Sequence, residues 1–241
     1  MSFISASQIS PVDAAPSDGV LTVSGVEFAA DPAGVLYWPE QSLLVVADLH
    51  LEKGSSFAAR GVLLPPYDTA STLARLTALI ARYAPRAVVA LGDSFHDGRG
   101  PARLADTDRA TLKNMQRGRD WIWITGNHDP EPAENIGGRF LAAFAVNGLT
   151  FRHEPMENAV GEIAGHLHPV ARVARRGRAV SRRCFAGDGT RVVMPAFGAY
   201  AGGLNVRDRA FACVFQTLAF TAHMLGRQRV YAVAAKSCLP D

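Results

Sequence analysis

Short, mostly apolar blocks stand at Leu43 to Ala47, Ala87 to Leu91 and Trp121 to Thr125. Blocks of this length read as strands buried on both faces. Between the first two, Leu73, Leu76, Leu79, Ile80 and Tyr83 recur at helical spacing. A helix is therefore expected over residues 67–83, with Asp68 or Thr69 as its start cap and Pro85 enforcing its end. A second helix is expected near 104–117. Strand, helix, strand, helix, strand in this order implies crossover connections and a largely parallel sheet. Upstream, Val20 to Phe28 and Val35 to Trp38 flank an Asp31-Pro32-Ala33-Gly34 turn and predict an opening hairpin.

The pattern changes after residue 148. Short segments separated by turn signals predict strands at Leu149 to Arg152, Glu162 to Ala164, Val170 to Ala174, Ala179 to Phe185, Arg191 to Met194, Ala212 to Leu218 and Val230 to Val233. This half reads as a mainly antiparallel sheet, which places the chain in the α/β class. No linker rich in Pro, Gly or Ser separates the halves, so one domain is expected over 20–235. Residues 1–19 are expected to form a disordered lead and residues 236–241 a tail.

Composition narrows this only slightly. The chain has 241 residues, 48% of them apolar and 20% charged, which suits a globular protein with a sizeable core. A net charge of +3 suits an anionic substrate without requiring one. Cys184, Cys213 and Cys238 form no CxxC pair and leave one over, which argues for a reducing compartment. Residues 1–20 contain no Lys or Arg and no apolar core of a signal peptide. No later run approaches the roughly 18 to 20 apolar residues of a membrane span. A cytoplasmic protein without a membrane partner is expected.

The chemistry lies in the histidines. Six of the seven fall in short clusters with Asp, Asn and Gly: Asp48-Leu49-His50, Gly92-Asp93 with His96, Gly126-Asn127-His128-Asp129, His153, and Gly165-His166-Leu167-His168. Residues two apart in extended backbone project to the same side, so Asp48 with His50, and His166 with His168, can each grip one cation. Asp93 and Asn127 follow predicted strands, at the carboxyl ends where open α/β sheets place their sites. Two carboxylates, an amide oxygen and four imidazoles, without a thiolate, suit Mn²⁺, Fe or Zn²⁺. These donors are too many for one ion. A bridging carboxylate resolves the excess by holding two cations roughly 3.5–4 Å apart. The bland alternative is a set of surface polar residues at strand ends.

The ordered series D-x-H, G-D, G-N-H-D, a lone His and G-H-x-H resembles the calcineurin-like metallophosphoesterase superfamily. That resemblance implies a four-layer αββα sandwich of two mixed sheets and two divalent ions, Mn favoured, with Fe or Zn as alternatives. It assigns Asp48, His50, Asp93 and His168 to one metal, and Asp93, Asn127, His153 and His166 to the other. It makes His128 the group that contacts the scissile phosphate and stabilises or protonates the leaving oxygen, with Asp129 orienting its imidazole.

Longer strings, V-A-D-L-H-L-E-K-G (46–54), F-A-A-R-G (57–61), L-G-D-S-F-H-D (91–97), G-H-L-H-P (165–169) and M-P-A-F-G-A-Y-A-G-G-L-N-V (194–206), resemble the ligase-associated DNA damage response endonucleases of the PdeM type. They imply phosphodiester cleavage in DNA repair, with a DNA ligase, helicase or exonuclease as partner. Two other readings stay open at this point: a phosphodiesterase or phosphatase for a small nucleotide or other metabolite, and a non-catalytic scaffold with a vestigial metal centre.

Several residues have two readings each. Lys53 and Arg60 either clamp a phosphate or sit on a solvated loop. His96, with Asp97, faces substrate or supports the ligands. Phe197 and Tyr200, beside Gly202 and Gly203, contact a base or sugar or simply pack. Arg172, Arg175, Arg176, Arg178, Arg182 and Arg183 are six arginines in twelve residues. They either track a nucleic-acid backbone or keep a hairpin soluble. No aromatic residue interleaves them, which argues against base stacking there. His223 stands alone and is expected to be structural. Oligomeric state is left open.

Overall fold

The computed structural model describes residues 15–16, 19–175 and 177–241. Most of the expected lead, and Arg176, lie outside the described residues. In chain order the elements begin with β1 (Ala15–Pro16), β2 (Val20–Val23), β3 (Val26–Ala30), β4 (Leu36–Trp38) and β5 (Leu43–Val46). Helices α1 (Lys53–Ala58) and α2 (Asp68–Tyr83) precede β6 (Ala87–Leu91), and α3 (Gly100–Arg103) and α4 (Asp106–Gln116) precede β7 (Asp120–Ile124). Then come β8 (Arg139–Leu141), β9 (Ala143–Val146), β10 (Leu149–Arg152), β11 (Glu162–Ala164), β12 (Pro169–Arg175), β13 (Arg178–Gly187), β14 (Arg191–Val193) and β15 (Leu204–Asn205). Helix α5 (Arg209–Phe215), β16 (Thr221–Leu225) and β17 (Val230–Ala234) complete the chain, apart from a final 3₁₀ turn at Ala235–Ser237.

Among the described residues the strands form two sheets, ordered β2-β3-β4-β5-β6-β7-β8 and β1-β17-β16-β13-β14-β11-β10-β9, with β12 and β15 attached beside β13. Both are mixed. The first is antiparallel up to β5 and parallel from β5 to β8. The second is mostly antiparallel, but β10, β11 and β14 run parallel.

Strand alternation divides the apolar residues among three cores. Leu43, Val45, Val89, Leu91, Ile122 and Ile124 of the first sheet meet Phe151, Ile163, Phe185 and Val192 of the second. The intervening residues Leu44, Val46, Val88, Ala90, Trp121 and Trp123 face outward onto Leu73, Leu76 and Ile80 of α2 and Leu112 of α4. On the far side, Cys184, Ala186, Val193 and Ala222 pack against Phe211, Val214 and Phe215 of α5. Helix, sheet, sheet, helix is the result. The Glu162 carboxylate, 1% exposed, pairs with Arg191, 2% exposed, beneath the second sheet. Arg191 also donates to the carbonyl oxygen of Val214 at 2.9 Å, which ties this pair to the end of α5.

Three expectations need correction. The strand expected over Val20 to Phe28 is a tight hairpin of β2 and β3, broken at Ser24 and Gly25, whose φ values are 47° and 82°. Paired positive φ values make a turn matching strand twist, and Gly25 was its signal. The expected strand at Ala212 to Leu218 is instead mostly helix α5. Phe211, Val214 and Phe215 share one face at helical spacing, and Asp208 caps the start by accepting from the Ala210 amide at 2.9 Å. For α2, neither expected cap holds: Tyr67 is the N-cap, and Asp68, already helical, instead accepts from the Gly54 amide at 2.9 Å. Among the described residues, no helix is long and apolar enough to cross a membrane.

Candidate metal centre

The donors gather where the two sheets meet at the carboxyl ends of their strands. Asp48 and His50 follow β5, Asp93 follows β6, and Asn127 and His128 follow β7, while His153 follows β10 and His166 and His168 follow β11. The parallel pairing of β10 with β11 matches Arg152 to Ala164, so both strands release their chains toward the same edge.

The local backbone differs from the extended form expected. Asp48, His50, Asp93, His166 and His168 all have left-handed backbone, with φ of 52°, 42°, 43°, 69° and 47°. Each such residue costs about 1–3 kcal/mol and persists only where its surroundings over-determine it. Those constraints are present. The His50 amide donates to the Asp93 carbonyl oxygen and the Leu51 amide to that of Ser94, both at 2.9 Å. From the far side, the amides of Phe197 and Gly198 donate to the carbonyl oxygens of Ala47 and Asp48 at 2.9 and 3.0 Å. A Cβ on Gly198 would stand 2.4 Å from the Leu49 carbonyl oxygen, so no other residue permits this approach.

Asp93 lies between two donor sets. On one side His168 Nε2 is 3.2 Å from Asp48 Oδ1 and 3.3 Å from His50 Nε2, which in turn is 3.9 Å from Asp93 Oδ2. On the other side His153 Nε2 lies 2.9 Å from Asn127 Oδ1, 3.2 Å from His166 Nδ1 and 3.4 Å from Asp93 Oδ1. His153 donates its Nδ1–H to the Leu91 carbonyl oxygen at 3.0 Å, leaving Nε2 as a lone pair in the neutral ring. Four electron-rich atoms thus converge at that position. A proton on one ring would satisfy one contact, whereas a cation satisfies them all. The donor chemistry therefore fits a divalent metal.

Electrostatics agree with that fit. Burial, reinforced by His168, His128, His96 and Lys53, holds the His50 pKa down at about 2, and burial with Lys53 and His128 lowers His96 to about 4. Burial and His153 also lower His166. Such imidazoles stay neutral, the form that ligates. For His168 burial acts in the same direction, but the hydrogen bond to Asp48 and the negative charges of Asp48 and Asp93 together outweigh it and raise the pKa.

Residues 42–181 match the calcineurin-like phosphoesterase family. The chain belongs to that family. This phosphoesterase is also similar to the nuclease MPE of Pseudomonas putida, with 25% identity and a TM-score of 0.68 over 89% of this chain and 98% of that one. A second solved structure, YfcE, a phosphoesterase from E. coli, shares 16% identity over 80% of this chain and 98% of its own, with a TM-score of 0.40. The comparison with curated proteins found no match. The phosphoesterase is a hydrolase of phosphoester bonds, and it brings together groups of side chains able to hold the divalent metals its family uses.

Around the donors, the other expected residues occupy distinct places. His128 donates its Nδ1–H to the His96 carbonyl oxygen at 2.8 Å, and its Nε2 lies 3.9 Å from Asp93 Oδ2. His96, not Asp129, therefore orients the His128 ring, contrary to expectation. Asp129 instead accepts from the amides of Phe95 and Gly126, both at 3.0 Å, and so clamps two ligand loops together. His96 stacks on His128 with ring centroids 5.2 Å apart.

Phe197 is fully buried in the core under α2, so the expectation that it contacts substrate is corrected to packing. Tyr200 bonds through its hydroxyl to the Pro65 carbonyl oxygen at 2.9 Å, and its own carbonyl oxygen accepts from Lys53 Nζ at 3.0 Å. Arg60 reaches Ser56 Oγ at 3.1 Å from an exposed position. In the β12–β13 hairpin, Arg183 donates to the Ala196 carbonyl oxygen at 2.7 Å and Arg172 to that of Pro240 at 3.1 Å. His223 lies in β16, paired with Phe185.

Sequence reasoning missed the polar stripe of α2. Thr69 Oγ1 accepts from the Glu52 amide at 2.8 Å and donates to Glu52 Oε1 at 2.9 Å, pinning the loop that follows His50. Thr72 accepts from the Ala199 amide at 3.1 Å, and Arg75 donates to the Phe197 carbonyl oxygen at the same distance. The available signal was polar residues recurring at 69, 72 and 75, three apart, on a helix whose leucines at 73, 76 and 79 mark the neighbouring face.

Proposed function

We propose that this phosphoesterase hydrolyses phosphodiester bonds in DNA with two divalent cations, manganese favoured. Asp48, His50, Asp93 and His168 would hold one, and Asp93, Asn127, His153 and His166 the other. The observation that carries this reading is the Asp93 carboxylate, whose Oδ1 lies 3.4 Å from His153 Nε2 and whose Oδ2 lies 3.9 Å from His50 Nε2. One carboxylate thus serves both donor sets. When bound, the cations neutralise charge on the phosphoryl oxygens and lower the pKa of a coordinated water toward neutrality.

The protein's own groups do the rest. His128 keeps Nδ1 committed to the His96 carbonyl oxygen, so Nε2 is the atom left to meet the scissile phosphate. Its side chain is 40% exposed, so a substrate oxygen can reach it. Protonated at Nε2, it donates to the leaving oxygen, which is general acid catalysis. A phosphoryl transfer of this kind depends on positioning and charge stabilisation more than on covalent help from the protein. The likeness to a nuclease over 98% of that chain supports a nucleic acid as the substrate class. A role in DNA repair extends the same reading.

The test compares rates on a phosphomonoester, a small phosphodiester, a cyclic nucleotide, and single- and double-stranded DNA, with Mn²⁺ and after chelation. Cleavage of DNA that chelation abolishes is expected. Fast turnover of the cyclic nucleotide with intact DNA would overturn the substrate, and rates indifferent to chelation would overturn the metal centre.

A further inference from the structure

Beside the donor centre, a cavity of about 720 Å³ opens between α1 and α3, lined among others by Ser56, Arg60, Asp97, Arg99 and Arg103. It is separated from the donors by a short ladder of rings: His50 to His96, and His96 to Phe57, are each 5.6 Å between centroids, and Arg60 lies 5.9 Å from the Phe57 ring. One of its arginines is already committed. Arg103 grips both oxygens of Asp97 at 2.9 and 3.0 Å and donates to Ser55 Oγ at 2.9 Å. That pair cancels itself. Arg60 bonds only a neutral hydroxyl, and the exposed Arg99 guanidinium has no ion-pair or hydrogen-bond partner among the described residues.

The opposite side of α3 provides a control. There a cavity of about 740 Å³, sharing Gly98 and Ala102 with the first, is lined by Arg109 and Lys113 but also by Asp129, Glu131 and Glu134. Acidic groups outnumber basic ones on that side, and the reverse holds on the Arg60 side. A polyanion emerging from the metal centre is drawn to only one of the two.

We infer that the Arg60–Arg99 cavity is a second phosphate subsite, which binds the backbone of a nucleic-acid strand a few nucleotides from the bond being cut. The inference rests on the DNA reading above and deepens it, because a mononucleotide or cyclic nucleotide has no phosphate to place there. Spacing supports this, since even at the roughly 3.4 Å rise per nucleotide of a duplex strand, shorter than that of an extended one, the ring ladder spans only a few nucleotides. The subsite would favour oligomeric over monomeric substrates through binding rather than through chemistry.

The test uses wild-type protein, Arg99→Ala and Arg99→Lys with Mn²⁺, on a single-stranded oligonucleotide and on bis(p-nitrophenyl) phosphate, over a range of salt. Arg99 is exposed, so both variants should fold. Arg99→Ala is expected to raise KM for the oligonucleotide by about three- to ten-fold while kcat is kept. The slope of log KM against log salt should fall by about 0.7–1, and Arg99→Lys should restore it. An equal loss on both substrates, or an unchanged KM and slope, would overturn the subsite. Wild-type protein that turns over the small diester yet leaves every oligonucleotide intact would instead overturn the DNA reading itself.

Discussion

The donor centre and the β12–β13 hairpin are the two parts of this chain richest in chemically active side chains, and the fold treats them in opposite ways. The donors are scattered from residue 48 to residue 168 and converge on one carboxylate. The hairpin packs six arginines into twelve residues, and pairing then spreads them apart. Cross-strand register puts Arg175, Arg178 and Arg182 on one face and Arg172 and Arg183 on the other. Arg172 and Arg183 are spent on carbonyl oxygens. The hairpin tip also lies about 20 Å along the strand from His168, at roughly 3.3 Å per residue. Density along a sequence is therefore a poor guide to density at a site, and the arginines that line the cavity beside the donors, Arg60 and Arg99 among them, come from separate loops.

The contrast can be broken most severely at Asp93. Asp93→Asn should cut turnover of every phosphodiester by at least ~10³-fold, since two-metal charge stabilisation is worth several kcal/mol. Elemental analysis should show depleted metal, and full metal content with wild-type rates would refute the shared carboxylate. His128→Ala comes next, with a loss of about 10²–10⁴ in kcat and metal content retained, as expected of a general acid that is not a ligand. Away from both regions, Arg191→Met leaves Glu162 charged and buried without its main partner, so unfolding free energy should drop by about 3–5 kcal/mol in urea titrations. Arg191 bonds Val214, Met156 and Glu162 and none of the donors, so metal content per folded molecule should be normal. The smallest effect belongs to the hairpin: Arg178→Ala with Arg182→Ala should change kcat/KM for an oligonucleotide by less than about two-fold. A larger drop there would restore the hairpin as the nucleic-acid contact.

The parallel strands and the long helix were legible because each carries an unmixed period: 43–46, 87–91 and 121–124 are apolar throughout, and α2 repeats its leucines at helical spacing. The donors were legible because their residue types are rarely combined otherwise. Helix α5 was misread because an apolar run of six residues, 210–215, suits a strand or a buried helix equally, and the cap Asp208 with the spacing of Phe211, Val214 and Phe215 distinguishes them. The orientation of His128 was illegible for another reason. Its partner is the backbone carbonyl of His96, and every residue has one. Arg99 escaped notice because the Arg60 cavity exists only once α1 and α3 are placed side by side.

The left-handed backbone at Asp48, His50, Asp93, His166 and His168 bears on how such a centre can evolve. Among non-glycine residues, Asp, Asn and His are the types most enriched in that conformation. They are also hard-to-borderline metal donors. Conformational tolerance and coordination chemistry thus filter for the same amino acids at these five positions. A lineage drifting toward a softer metal would have to replace His or Asp with Cys at positions where the chain itself resists the exchange. The polypeptide's torsion angles, as much as any cellular supply of ions, keep this centre within the oxygen and imidazole repertoire.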